Sequence, residues 1–429
     1  MCLKLILISA SILSVVAPSS VHERDEVLRI FPRNAEDVRF LTTMDEEQGL
    51  SLDFWKFPSG PDNIADVHVQ KAHLPLVKDA LKRQGIPFNV LVDDVGEALH
   101  QHMRTNRMSR ALSRMRRDEN FDFSVYHTYK EITDHMRHLA TNYPDIASIM
   151  SVAGTYEGRS IMTIKLGKPF SNGTVKPAFW IDGAIHSREW IVPATIIYAV
   201  DRLVRQYGSD PTVTRILDGL DLYVTPVFNV DGYVYTWQSD DTRLWRKNRA
   251  PQAGPCVGVD MNRNWDSHWS EGGSSHDPCN WAYHGTAPFS EQETREISTF
   301  IWENRRDIRA YIAFHSYSQV WMAPWGHSYN RPPGDAGAQD ALGRLAVETI
   351  KSVHGVDYVA GRAMETLYQV SGDSQDWTYD KAGIKYSYIA ELRDTGRYAF
   401  LLPPDQILPT AEEIFPSILT VGEWILDHY

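Results

Sequence analysis

A histidine and a glutamate three residues apart, His186 and Glu189, stand in the segment Ala184-Ile185-His186-Ser187-Arg188-Glu189-Trp190. An imidazole nitrogen and a carboxylate oxygen are donors that zinc takes at about 2 Å, and a third from elsewhere in the chain would leave one position open for water. The spacing by itself says little, because His268 and Glu271 repeat it in a polar stretch rich in Gly and Ser. Context separates the two. The apolar run 178–184 predicts a buried strand ending beside His186, and ligands of open α/β sheets gather at such ends.

His315, in Phe314-His315-Ser316-Tyr317-Ser318, comes just past a second apolar strand and is the candidate third ligand. Glu391 lies inside Tyr386-Ser387-Tyr388-Ile389-Ala390-Glu391-Leu392, a run otherwise apolar or hydroxylic. An ionised carboxylate there is costly without a partner or a task. Taking a proton from water made acidic by a metal would be such a task. Arg246, in the run 243–249, offers a guanidinium to an oxyanion, and the run 259–266 offers a fork suited to a carboxylate. Each cationic run alone reads first as solvated surface. Tyr368 sits in a turn-rich segment before Ser371-Gly372-Asp373 and could close over a substrate.

These residues need a framework. Strand patterns over 160–166, 178–184, 222–227, 309–314 and 386–392 alternate with helical patterns over 129–142, 192–206, 291–304, 339–354 and 410–428. The economical solution is an α/β fold, a mixed, mainly parallel sheet with helices on both faces. Ahead of it, strand patterns at 26–31, 65–69 and 88–92 and helical ones at 35–43 and 74–83 predict a small α+β (ferredoxin-like) domain, with a turn at 58–61. One long helix follows over 95–117. Its arginines 104, 107, 110, 114 and 117 step by three or four along one face, read structurally as a solvated face.

Lys4, the apolar run 5–17 and Pro18-Ser19-Ser20 make a signal peptide, too short for a membrane span, and no later run is long enough for one. Secretion is therefore expected. Cys2 would leave with the signal, and Cys256 and Cys279 in an oxidising compartment most simply pair, the alternative being two buried thiols. Asn172-Gly173-Thr174 is an N-glycosylation acceptor that fits export. The net charge of −12 argues against nucleic acid as a partner. Its acidic excess lies almost wholly in 118–429, while 1–117 is near neutral. Arg114-Met115-Arg116-Arg117 stands at that junction as a tryptic cleavage site. Domains of 1–20 (signal), 21–117 (activation propeptide) and 118–429 (catalytic domain) follow.

In this order the motifs H-S-R-E-W, W-R-K-x-R, D-x-N-R-N-W-D, F-H-S-Y-S and E-L-R-D-T-G-R-Y-x-F-L-L-P resemble those of the M14 metallocarboxypeptidases, in particular the secreted digestive A/B subfamily. The resemblance spans the whole chain and implies an eight-stranded mixed sheet. It implies one Zn2+ held by His186, Glu189 and His315, and Asp260 as the partner that holds the His186 tautomer. It makes Glu391 the base that takes a proton from the attacking water, with Arg246 stabilising the oxyanion. Asn262, Arg263 and Tyr368 would grip the terminal carboxylate of a peptide or protein C-terminus. Arg188, Tyr317 and Phe400 would line the groove for upstream residues, and Cys256 and Cys279 match the family's disulfide. A trypsin-like protease cutting at Arg117 would activate the zymogen, and a monomer is expected.

Specificity is where the chain departs from the pattern. Gln375 stands where relatives selecting Lys or Arg carry an acid and those selecting apolar residues an aliphatic side chain. Met322, Gly326, Val370 and Ile389 are mostly apolar and predict a preference for apolar C-terminal residues, while Asp373 keeps basic specificity as the alternative. Ala382 reads as an inserted residue that unsettles the local register. An inactive peptide-binding homologue is disfavoured because the ligands, the base and the clamp are all present. A zinc endopeptidase is disfavoured because H-E-x-x-H is absent.

Overall fold

The computed structural model describes residues 21–48, 50, 52–58, 64–115, 121–170, 174–328 and 332–429. The expected signal at 1–20, cleavage at Arg117, residues 59–61 of the expected turn and Asn172-Gly173 of the glycosylation acceptor lie outside them. No described helix is long and apolar enough to cross a membrane.

The N-terminal domain is a four-stranded antiparallel sheet in the order β2-β3-β1-β4, with β1 Glu26–Ile30, β2 Asp53–Lys56, β3 Ala65–Val69 and β4 Phe88–Val92. Helices Ala35–Gln48 and Leu74–Gln84 complete it. Leu28, Ile30, Leu41, Phe54, Val67, Val77 and Leu81 give it a core of its own. β2 is an element that periodicity does not reveal, because four residues, Asp-Phe-Trp-Lys, are too few to establish a period.

The long helix Val95–Met115 leads out of this domain, and its arginine face is not simply solvated. Arg110 donates to both Glu131 oxygens at 2.9 and 2.7 Å and to the Tyr126 carbonyl at 2.7 Å, and Arg107 reaches Asp240 at 3.1 Å. Glu131 also closes the capping box of the helix Tyr129–Asn142 with Thr128, so one carboxylate ties the two helices together.

The second domain is built on an eight-stranded sheet in the order β11-β10-β12-β9-β7-β8-β6-β5. Its strands are β5 Ala147–Gly154, β6 Ser160–Leu166, β7 Ala178–Gly183, β8 Asp221–Thr225, β9 Ile308–Ser316, β10 Val320–Ala323, β11 Val359–Arg362 and β12 Tyr386–Leu392. The β10/β11, β12/β9, β9/β7 and β7/β8 pairs are parallel; β10/β12, β8/β6 and β6/β5 are antiparallel. Helices cover both faces. On β7, Trp180 packs against Phe300 of the helix Gln292–Asn304 with ring centres 5.4 Å apart. Gly183, an odd number of residues on and so facing the other way, lies against Val192 and Ile196 of the helix Ile191–Gln206.

The three neighbouring strands β12, β9 and β7 run parallel, so their C-terminal ends meet at one edge, where such sheets collect ligands. His186 follows β7 and Glu391 lies near the end of β12. His315 is inside β9 rather than beyond it, because parallel pairing with β12 continues through Glu391 opposite His315 and Leu392 opposite Ser316. Cys256 and Cys279 form a disulfide across a separation of 23 residues.

Candidate active site

At that edge three side chains aim donors at one point. His186 Nδ1 is 2.8 Å from Glu189 Oε1 and 3.1 Å from His315 Nδ1, and His315 Nδ1 is 3.4 Å from Glu189 Oε2. All three residues are buried. Four ligands at about 2.0–2.1 Å on a tetrahedron stand about 3.3 Å apart, so these spacings are those of three corners around zinc. Hydrogen bonding alone leaves the group unsatisfied: Glu189 Oε2 is buried without a hydrogen-bond partner, and two ring nitrogens at 3.1 Å cannot both carry a proton between them. The donor set therefore fits a cation. By contrast His268 and Glu271 pair with each other at 2.8 Å on the surface, and no third donor joins them among the described residues.

Burial alone would raise the Glu189 carboxyl, yet the imidazoles of His186 and His315 hold it down at about 2. Burial and the Arg246 guanidinium keep the His186 imidazole below its ordinary value. Its Nε2 faces Asp260 Oδ1 at 3.2 Å, while Asp260 Oδ2 accepts from Arg246 Nη2 at 2.8 Å. One carboxylate thus orients an imidazole and a guanidinium together. Asp260 is buried, which favours protonation, but Arg246, Arg263 and His186 hold it well below the carboxylate range. Arg246 also lies 5.0 Å over the Trp281 ring. Glu391 lines the same cavity, and burial pushes it up to about 8, with Glu189 adding to the rise and His315, Arg246 and Lys56 opposing it.

Asn262 and Arg263 belong to a short turn of helix, Met261–Arg263, that follows Asp260. Asn262 Oδ1 accepts from the Ser374 backbone at 3.1 Å, and Arg263 Nη2 donates to the Tyr368 hydroxyl at 3.1 Å. These three line one cavity with His186, His315, Glu391, Gln375, Met322, Gly326, Val370 and Ile389. Gln375 lies in the helix Ser374–Asp380, and Ala382 falls beyond the end of that helix, so the extra residue does not displace Gln375 from the cavity.

Arg188, Tyr317 and Phe400 form a separate cluster next door, and the N-terminal domain covers it. Arg188 Nη1 lies 2.6 Å from Asp53 Oδ2 of β2, and its guanidinium sits 4.1 Å over the Phe400 ring. The Tyr317 hydroxyl donates to Asp66 of β3 at 2.9 Å, and Asp66 in turn pairs with Arg29 at 2.7 Å. Trp55 packs edge-on against Phe400, and Phe57 lies 5.0 Å from the Tyr368 ring. Asp53, Trp55, Phe57 and Asp66 carry no motif; only contacts across more than a hundred residues identify them, although an acid facing a groove arginine is the signal to seek. Within β7, Asp182 is a further buried acid that sequence reading passes over, raised to about 6 by burial.

Comparison with known proteins gives the following. Residues 132–417 match the zinc carboxypeptidase family and residues 28–102 the carboxypeptidase activation peptide. Carboxypeptidase A2 of Mus musculus is 40% identical over 405 residues, 94% of each chain. Carboxypeptidase A1 of Bos taurus is 38% identical over 422 residues, covering 97% of this chain and 98% of that one. The crystal structure of thrombin activatable fibrinolysis inhibitor superposes with a TM-score of 0.82 at 34% identity, over 95% of this chain and all of the other. That of carboxypeptidase A from Helicoverpa armigera gives 0.86 at 26% identity over 95% and 98%.

Proposed function

The chain belongs to the zinc carboxypeptidase family and carries its activation peptide, a zymogen of a metallocarboxypeptidase, and from that premise we propose that it is secreted and, once cut near Arg117 by a trypsin-like protease, releases apolar residues from peptide C-termini as a monomer. The observation that carries the reading is the meeting of His186, Glu189 and His315 at one point, in a cavity that also holds Glu391 and Arg263.

Zinc held by those three side chains would supply a Lewis acid that acidifies water and polarises a carbonyl. The chain's own groups do the rest. Arg263, with Asn262 and the Tyr368 hydroxyl, binds the free carboxylate and sets the scissile bond one residue away from it. A peptide interior brings no such anion, which makes the enzyme an exopeptidase. Glu391, whose raised carboxyl a bound cation would bring back to the ionised form, accepts the proton of the attacking water and passes it to the departing amine. Arg246, held by Asp260, places positive charge where the carbonyl oxygen becomes negative. Asp260 also fixes the ring of His186. Met322, Val370 and Ile389 supply apolar walls for the last side chain, and the similarity to A-type carboxypeptidases supports the same preference. In the zymogen, Asp53 and Asp66 occupy Arg188 and Tyr317, where upstream substrate residues would lie.

The test is a pair of peptides, one with a free C-terminus and one amidated, offered to trypsin-treated protein. Release of the last residue from the free acid alone, lost with a chelator and restored by zinc, is expected. Equal cleavage of both peptides, or activity that survives chelation, would sink the reading.

A further inference from the structure

The cavity assigned to the last side chain combines apolar walls with two polar groups. Met322, Ala363, Leu367, Val370 and Ile389 line it together with Asp373 and Gln375. Gln375 is fully buried, and its Nε2 donates to the Met322 carbonyl at 2.9 Å, which leaves Oε1 as a bare acceptor. Asp373 is 1% exposed. Its Oδ1 accepts from the Asp376 backbone at 2.9 Å, at the start of the helix Ser374–Asp380, but Oδ2 has no hydrogen-bond partner. That oxygen lies beside Gly326: a Cβ built there would stand 3.1 Å from it. The space a side chain at 326 would take is thus opened to the carboxylate. Arg263 donates no hydrogen bond to it, since its nitrogens go to Gly273 O, Asn262 O and the Tyr368 hydroxyl.

Two buried acceptors with no donor, in a cavity that also has apolar walls, are complementary to a side chain with a hydrocarbon stem and a donating head. We propose that Asp373, assisted by Gln375, is a specificity-determining residue that admits C-terminal lysine and arginine to the same pocket that takes apolar residues. This rests on the assignment of that pocket to the last substrate side chain, and widens the apolar preference to a dual one. The acid stands two residues before the position where basic-selective relatives carry theirs, and reaches the cavity past a glycine. Burial and the Asp376 carboxylate push Asp373 well above the usual carboxylate range and Arg263 opposes them, so an arriving cation would favour its charged form.

The experiment compares kcat/KM for two peptides that differ only in ending with lysine or norleucine, which share an unbranched stem. Norleucine release tests the assignment of the pocket; the lysine-to-norleucine ratio tests the proposal. Lysine within tenfold of norleucine, or faster, is expected, and lysine slower by more than tenfold would overturn it. In Asp373→Asn, which keeps an oxygen for the Asp376 amide, the ratio should fall at least tenfold. A smaller fall would overturn the role of Asp373. If that variant does not fold, Gln375→Leu, which leaves Asp373 and its contact with Asp376 in place, decides by the same measure.

Discussion

At the scale of single residues, the proposed mechanism separates groups that bind from groups that move a proton. Glu391 is buried beside the donor triad but contributes no donor to it, so replacing it should spare metal affinity and remove turnover. In Glu391→Gln we expect kcat to drop about a hundred- to ten-thousandfold, the range for a positioned general base, with zinc content by atomic absorption unchanged. Loss of zinc along with activity would make Glu391 part of the metal site instead. The residues themselves were legible in the sequence where a charge stood in an apolar run, as with Glu391, or where two donors shared a strand end, as with His186 and Glu189. His268 and Glu271 show the limit of that reading, because spacing without a strand to aim the donors gives a surface ion pair. Specificity was legible least. The walls of the pocket follow from apolar residue types, but that Asp373 leaves an oxygen unpaired beside Gly326 is a matter of packing between segments some fifty residues apart.

Among the elements, periodicity recovered the long ones. Strands of five to nine residues with buried faces, and helices of eleven or more, carry enough residues to show a period. β2, β10 and β11, four residues each, do not, and the eight-residue β5 is hidden too, because its burial does not alternate and its pairing with β6 shifts register midway. The arginine face of the helix Val95–Met115 was read only in part: Arg104, Arg107 and Arg114 are exposed, but pattern shows that a face is charged and not what it meets. Arg110 meets Glu131, and that contact is pH-dependent. Burial raises Glu131, but His127, Arg110 and the Thr128 amide outweigh it and hold the carboxyl well below its ordinary range. A depressed carboxyl stabilises the fold above its unfolded pKa of about 4.3 and loses that contribution as pH falls. Arg110→Gln should therefore lower the Tm of the zymogen at pH 7. The gap to wild type should narrow below about pH 4 without closing, since the bond to the Tyr126 carbonyl does not titrate. A gap that stays constant from pH 7 to pH 3 would assign the effect of Arg110 to packing alone.

Across the whole molecule, the N-terminal domain meets the catalytic one through a compact apolar contact, Val27, Trp55, Val95 and Leu99 against Leu244, Tyr317, Ala399 and Phe400. Two acids, Asp53 and Asp66, reach beyond it to the groove. Its own core of Leu28, Ile30, Leu41, Val67, Val77 and Leu81 is a separate cluster, touched from the catalytic domain by Trp281, so the sheet and its two helices bury most of their apolar faces among themselves. A unit that folds by its own core and docks by a second surface should act when severed. Residues 21–115 expressed alone, which keep Val95 and Leu99, are expected to unfold cooperatively and to inhibit the trypsin-activated enzyme when added back. The charge on Asp53 decides how well it docks, because Arg188 is 1% exposed and is left buried and unpaired without it. Asp53→Ala should weaken inhibition by about tenfold or more, the cost of a buried charge that has lost its partner. The Arg33–Asp37 pair, which lies within the N-terminal domain, offers a control: Asp37→Asn should leave inhibition near the wild-type value. Inhibition by Asp53→Ala as strong as wild type would mean that the apolar contact alone closes the groove and that the acids only set its orientation.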